Sequence, residues 1–216
     1  REGRFRAFVN ACAHRASRLV EGCGTLKGRF VCPYHGWSYG LDGRLEKIFK
    51  ESTFGSVDPA QYGLTEIQSE ERFGLLFVAP RPGVSLDVAA HLGDLGPELG
   101  SWDLAAATPI KTGEWNLETN WKLALDTFCE GYHFGPLHAD TVGRVAMTNT
   151  MTYDRYGSRQ EHHRLGFPNK TVLALADKPE SEWGEPFRHF NFVHFLFPNI
   201  SLLGSPDAVE LFQLYP

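Results

Sequence analysis

Cys12-Ala13-His14, seventeen further residues, then Cys32-Pro33-Tyr34-His35 and at once Gly36-Trp37-Ser38-Tyr39-Gly40: this stretch decides the reading of the chain. The four potential ligands form a C-x-H-x17-C-x2-H set. Two soft thiolates and two imidazoles, delivered in separate pairs, suit an iron–sulfur centre in which histidines hold one of the irons. Cys2His2 is also a zinc set, but zinc hairpins usually pair Cys with Cys and His with His, whereas each hairpin here offers one of each. Working outward, residues 4–10 (RFRAFVN) and 29–33 (RFVCP) are short β-rich runs that end on the two ligand loops. Gly22, Gly24 and Gly28 punctuate the loop between them, and Gly36, Gly40 and Gly43 mark tight turns after the second pair. Pro33 stiffens the second ligand loop; Trp37 and Tyr39 either shield the centre or pack the core.

Residues 8–45, with NACAHRASRL and FVCPYHGWSYGLDG at their heart, resemble the Rieske domain of ring-hydroxylating oxygenases. The resemblance implies that Cys12 and Cys32 bind one iron of a [2Fe-2S] cluster and His14 and His35 the other. Replacing thiolate by imidazole removes negative charge, and the potential rises to about −150 to +300 mV.

The 216 residues allow one or two domains, and 42% hydrophobic content supports a true core. A net charge of −5 without a long basic run argues against a nucleic-acid partner. No apolar stretch approaches the ~20 residues of a membrane helix, and no signal peptide is read at the start. Cys23 and Cys129 read as buried small hydrophobes. An iron–sulfur protein of this composition fits the reducing cytoplasm. Both ends fall abruptly in strand-like sequence, and the chain reads as a piece of a longer protein. Residues 72–79 (RFGLLFVA) read as a buried strand that closes the first domain, and Pro80-Arg81-Pro82-Gly83 is the boundary, dividing 1–82 from 83–216. Residues 86–104 carry weak helical signals with three glycines and Pro97 and read as a connecting region, in which His91 is assigned no role.

The second informative segment is 119–138, TNWKLALDTFCEGYHFGPLH. Trp121, Leu125, Phe128 and Tyr132 recur at i, i+4, i+7, i+11 and predict a helix. Asp126, Glu130 and His133 form a second line beside them, either a solvated face or a site. On an unbroken helix His133 and His138 lie about 140° apart and cannot share an ion. Gly135-Pro136 breaks the ladder between them, so the chain can turn and bring both imidazoles to one point. Glu130-x-x-His133 also matches half of a di-iron bundle site, but no second Glu-x-x-His unit is present.

Segment 120–138 resembles the iron-site helix of the same oxygenase family. By that resemblance His133 and His138 are two ligands of a mononuclear Fe(II). Glu130 is the acidic residue that links this site to a cluster histidine of a neighbouring subunit. Many members carry Asp there. The family's third ligand is a carboxylate far downstream, beyond residue 216, so the triad is incomplete in this chain.

Strand signals dominate after the site: 148–156, 159–165, 189–197, 199–204 and 208–215. His162-His163 reads as surface, since neighbours on a strand point to opposite faces. The largely apolar run from His189 to Phe197 lines either a cavity or the core. The expected fold class is α+β: an all-β Rieske domain, then part of a helix-grip catalytic domain with an antiparallel sheet. The implied protein is the terminal oxygenase, or alpha, component of a Rieske non-haem iron oxygenase. A ferredoxin or flavin reductase feeds it electrons, and it inserts oxygen from O2 into a small organic, aromatic substrate. The implied assembly is a homotrimer, with or without a beta subunit. A Rieske ferredoxin that only carries electrons, and a zinc-stabilised binding module, are the alternatives; a carrier has no use for residues 119–138.

Overall fold

The computed structural model describes residues 4–205 and 207–216. The chain divides into two compact units. One runs to Val88 and takes in Asp103–Ala106; the other comprises Ala89–Trp102 and Ala107–Pro216.

The first unit is built of short antiparallel strands. β1 (Ala7–Phe8) pairs with β5 (Glu66–Ile67), and β2 (Arg29–Val31), β3 (Ser38–Gly40) and β4 (Leu45–Lys47) form a three-stranded sheet in that order. Its core gathers Leu19, Trp37, Tyr39, Leu45 and Ile48 around the thiols of Cys12 and Cys32, with Phe30, Val57 and Leu64 at its margin. β6 (Ser69–Arg72) and β7 (Leu75–Val78) form a hairpin. Residues 72–79 are therefore not one buried strand. Phe73 and Gly74 both take positive φ and turn the chain, and Leu76 and Val78 then point outward at 49% and 42% exposure. Cys23 is exposed rather than buried: the loop gives Leu19 to the core, and Cys23 lies beyond it.

Leading into the second unit, α1 (Val88–Leu92), whose first residue closes the first unit, and α2 (Leu95–Ser101) bury Val88, Leu92, Leu95 and Leu99 completely. These four recur at i, i+4, i+7, i+11, a helical stripe that the glycines of 86–104 obscure in the sequence. α3 (Trp121–Asp126) and the four-residue α4 (Val142–Val145) follow. The sheet is antiparallel, with strands in the order β12 (Val209–Gln213), β11 (Ile200–Gly204), β10 (Phe190–Leu196), β9 (His162–Pro168) and β8 (Thr152–Tyr156). Each lies inside its expected span except β9, which sits three residues later. Alternation sorts the side chains. Leu165, Phe167 and Val193 meet Phe128, Cys129, Phe134 and Leu203 on one face. On the other, Arg164 and His194 meet Glu98 of α2. Covered on both faces, β10 reads as an apolar run rather than a polar–apolar alternation.

Candidate functional site

The first unit assembles the four-ligand set from two knuckles. Ala16 N–H donates to Cys12 O (2.8 Å), and Gly36 N–H to Cys32 O (3.0 Å), so each loop curls back on its cysteine. Cys12 and Cys32 are buried at 3% and 2% exposure, and neither forms a disulfide. The His14 and His35 rings lie 4.8 Å apart. Trp37 stacks on His14 at 4.8 Å and 7°. Tyr39 is fully buried; its oxygen accepts the Ala13 N–H at 3.1 Å and lies 3.1 Å from the Cys12 Sγ, to which the hydroxyl donates once that sulfur is a thiolate. Trp37 and Tyr39 thus serve both core and site.

The electrostatics favour ligands in their metal-binding forms. Burial pushes the Cys32 thiol up, but N–H groups of His35 and Tyr34 and the side chains of Cys12 and Ser17 outweigh it and hold the thiol below its ordinary value. Burial, His35 and Arg15 all lower the pKa of His14, keeping its ring neutral with a lone pair to give. His14 Nδ1 is buried without a hydrogen-bond partner. A buried nitrogen left bare is costly, and a metal supplies the missing partner. The donor set fits a centre with two sulfur and two nitrogen ligands.

The second unit departs from the helix expected over 119–138. Asn120 caps α3 by accepting the Lys122 N–H at 2.9 Å, but the helix ends at Asp126. A 3-10 turn, Thr127–Cys129, follows, and Glu130 is extended at φ −150°, ψ 152°. The stripes therefore fail as stripes: Leu125 is buried, while Tyr132 stands 86% exposed. The reason is local. The Glu130 carboxylate accepts the N–H groups of Tyr132 and His133 and so starts a second 3-10 turn, Tyr132–Phe134, in place of continuing the first helix. Gly131 lets the turn press on the sheet, since a Cβ there meets the Phe167 ring at 3.0 Å.

That same carboxylate accepts from His133 Nδ1. This fixes the tautomer and leaves Nε2 as the lone-pair nitrogen, the usual arrangement of a metal-ligating histidine. Burial pushes the Glu130 carboxyl up, but hydrogen bonds from the His133 ring and the two N–H groups overcome it and hold the group ionised below its usual range. Beyond Gly135-Pro136 the chain turns as the break predicts, and the His133 and His138 rings come to 5.2 Å. α4 secures the turn: His138 O accepts the Thr141 and Gly143 N–H groups at 3.0 and 2.9 Å. Only glycine fits at 143, where a Cβ lies 2.4 Å from Phe134 O. Phe134 packs on Phe167 at 5.1 Å, joining the site to the sheet's apolar face.

His162, read as surface, is fully buried, because α1 lies over its end of the sheet. With His91 and Glu161 it has the spacing of a metal trio. Its nitrogens are spent, however: Nε2 donates to His91 O (2.7 Å) and Nδ1 accepts the Phe197 N–H (3.1 Å). It is a structural histidine. The polar network of Glu98, Arg164, Asp154 and His194 was also unforeseen; only the rarity of buried charge marks such residues in a sequence.

The Rieske [2Fe-2S] domain family matches residues 1–58, and the ring hydroxylating alpha subunit (catalytic domain) family matches residues 100–216. Choline monooxygenase of Atriplex hortensis is 32% identical, over 79% of this chain and 44% of its own length. The carnitine monooxygenase oxygenase subunit of Escherichia coli K12 is 31% identical, over 70% and 39%. The chain thus spans less than half the length of these relatives. A quaternary ammonium Rieske monooxygenase solved with L-carnitine superposes with a TM-score of 0.76 at 20% identity, covering 96% of this chain and 53% of the other. Naphthalene 1,2-dioxygenase with indole superposes at 0.69 and 20% identity, covering 99% and 59%. The two matches imply a Rieske [2Fe-2S] cluster rather than zinc, and a mononuclear iron in the second unit. No described helix is long and apolar enough to cross a membrane. With a Rieske unit followed by a ring-hydroxylating catalytic unit, the chain belongs to the alpha subunits of the Rieske-type ring-hydroxylating oxygenases.

Proposed function

We propose that the protein is the terminal oxygenase of a Rieske non-haem iron system, with 1–82 as the electron-transfer domain and 83–216 as part of the catalytic domain. The observation that carries this reading is His133 and His138 at 5.2 Å, with Glu130 bonded to His133, in a chain that also holds the complete cluster set. A carrier of electrons alone needs no second unit. Cys12, Cys32, His14 and His35 hold the [2Fe-2S] cluster, and His133 and His138 the iron, with a carboxylate beyond residue 216 as third ligand. When bound, these groups supply one-electron transfer and activation of O2. The chain's own residues do the rest. Tyr39 and the loop N–H groups hold negative charge on the sulfurs. Trp37 covers His14. Glu130 orients His133 and, across a subunit boundary in a homotrimer, accepts from a cluster histidine of the next copy. Phe128, Phe134 and Phe167 keep the sheet side of the iron site apolar and exclude water.

The substrate we infer is a small quaternary ammonium compound rather than an aromatic one. Relatives above 30% identity are named for choline and carnitine, whereas the likeness to naphthalene dioxygenase is one of fold. Aromatic faces beside the site also suit a cation. Electrons come from a ferredoxin or flavin reductase, and four free cysteines, one of them exposed, suit the reducing cytoplasm. The test is Glu130→Gln in the product of the complete gene. It keeps side-chain length but loses charge and one acceptor. Both metals should remain bound, while single-turnover oxidation of the reduced cluster slows about 10–100-fold. A wild-type rate would place the electron path elsewhere.

A further inference from the structure

The two histidines of the iron site are held in unlike ways. His133 has the Glu130 carboxylate on its ring. The His138 ring has no such partner among the described residues: it meets the rings of His133 and Phe134, at 5.2 and 6.4 Å, and forms no hydrogen bond. Its place is therefore set through its backbone. The His138 carbonyl accepts three donors, the N–H and hydroxyl of Thr141 at 3.0 and 3.3 Å and the N–H of Gly143 at 2.9 Å. All three sit at the start of α4. A four-residue helix is far too short to stand by itself, so α4 needs support from outside.

That support lies just past the end of β9. The next helical bond of α4 would run from the Met147 N–H to Gly143 O, but Met147 donates to Pro168 O instead, at 2.8 Å. Ala146 forms a bridge with Asn169. α4 stops there, and its last carbonyls are left without helical partners. The Lys170 ammonium donates to two of them, Gly143 O at 3.2 Å and Arg144 O at 2.8 Å. A cation in that place also meets the negative end of the helix dipole. Gly143 thus donates to His138 through its N–H and accepts from Lys170 through its carbonyl. We propose that Lys170 is a positioning residue for the iron site: its ammonium clamps the end of α4, and through Gly143 that clamp sets the place of His138. This rests on the assignment of His133 and His138 to the iron made above. Lys170 is exposed, and a surface cation adds little to the stability of a whole fold. Its effect is local. Without the ammonium, α4 frays from its C-terminal end, the Gly143 N–H leaves His138 O, and the second ring drifts from the first.

Lys170→Met keeps the aliphatic stem and drops the charge; Lys170→Arg keeps both charge and donors. Both are made in the product of the complete gene, with His138→Ala as a reference. Two quantities are read on protein that keeps its cluster but has been stripped of the mononuclear iron. Hydrogen exchange follows the Thr141 and Gly143 N–H groups, and titration with Co(II), followed by difference absorbance, gives affinity and ligand geometry. In Lys170→Met both amides should exchange faster while those of β9 and β10 stay protected. Its Co(II) affinity should fall about tenfold, the low end of what is lost when the support of a metal ligand is removed. Lys170→Arg should restore both, with the cluster spectrum the same throughout. Wild-type Co(II) affinity in Lys170→Met would overturn the proposal. Equal acceleration of exchange across the whole sheet would also do so, since Lys170 would then support the fold and not the site. If His138→Ala binds Co(II) as wild type does, the iron assignment falls and this inference with it. If His138→Ala loses Co(II) while Lys170→Met keeps it, this inference alone falls.

Discussion

Tyr39→Phe removes one oxygen from the best-buried ring of the first unit and leaves its shape. The native hydroxyl accepts the Ala13 N–H and donates to the Cys12 Sγ, both at 3.1 Å. Burial and the neighbouring Cys12 raise the phenol far above its ordinary value, so it stays a donor throughout the working pH range. Two losses follow. The Ala13 N–H loses its partner, which costs about 1–2 kcal/mol, toward the low end of the range for buried groups because Ala13 is not itself enclosed. The sulfur loses a hydrogen bond that favours the more negative, reduced cluster. If that preference is worth about 1 kcal/mol, the one-electron potential falls by ~40 mV. Urea unfolding followed by cluster absorbance reads the first quantity, and redox titration of the intact protein reads the second. Unchanged stability together with an unchanged or raised potential would refute the assignment of Tyr39 as donor to the ligand sulfur.

Glu98→Gln in α2 should destabilise the second unit by about 2 kcal/mol, since two charge-assisted bonds of 2.8 Å are weakened while Arg164 keeps Asp154. Burial raises the Glu98 pKa, but His194 and Arg164 lower it further, to a net depressed value. Its contribution is therefore present above the unfolded value of about 4.5 and fades as pH falls through the folded one; denaturation at pH 7 and at acid pH should show the gap between wild type and variant closing. Gly131→Ala sets a Cβ 3.0 Å from the Phe167 ring and 3.3 Å from Phe134, so the His133 turn must shift. Such overpacking costs about 1–3 kcal/mol, and iron content after dialysis should fall while cluster absorbance stays; full retention of iron would show that the turn can give way.

What was legible before folding shares one property: it lies within a few residues. Cys12 and His14, or Cys32 and His35, are held by single tight loops whose geometry follows from spacing alone. The turn that joins His133 to His138 was readable from Gly135-Pro136, because proline breaks a helix wherever it stands in one. The strands after residue 148 announced themselves through alternation and β-branched or aromatic content. The end of α3 was not legible in the same way. Apolar spacing carried the helix on to Tyr132, whereas the Glu130 carboxylate, free to bond its own following N–H groups, ended it.

Local spacing was enough to place Cys12 near His14, Cys32 near His35 and His133 near His138, and chain order set the order of the two units, since short-range covalent geometry leaves few alternatives. Tertiary structure alone decided that Tyr39 reaches Cys12 across 27 residues, and that Glu98 meets Arg164 across 66 and His194 across 96. It also decided that His162 is enclosed while its neighbour His163 is not. Such pairings depend on strand register and on which helix covers which sheet face. A shift of one residue in register exchanges the two faces, so no local pattern could have specified them.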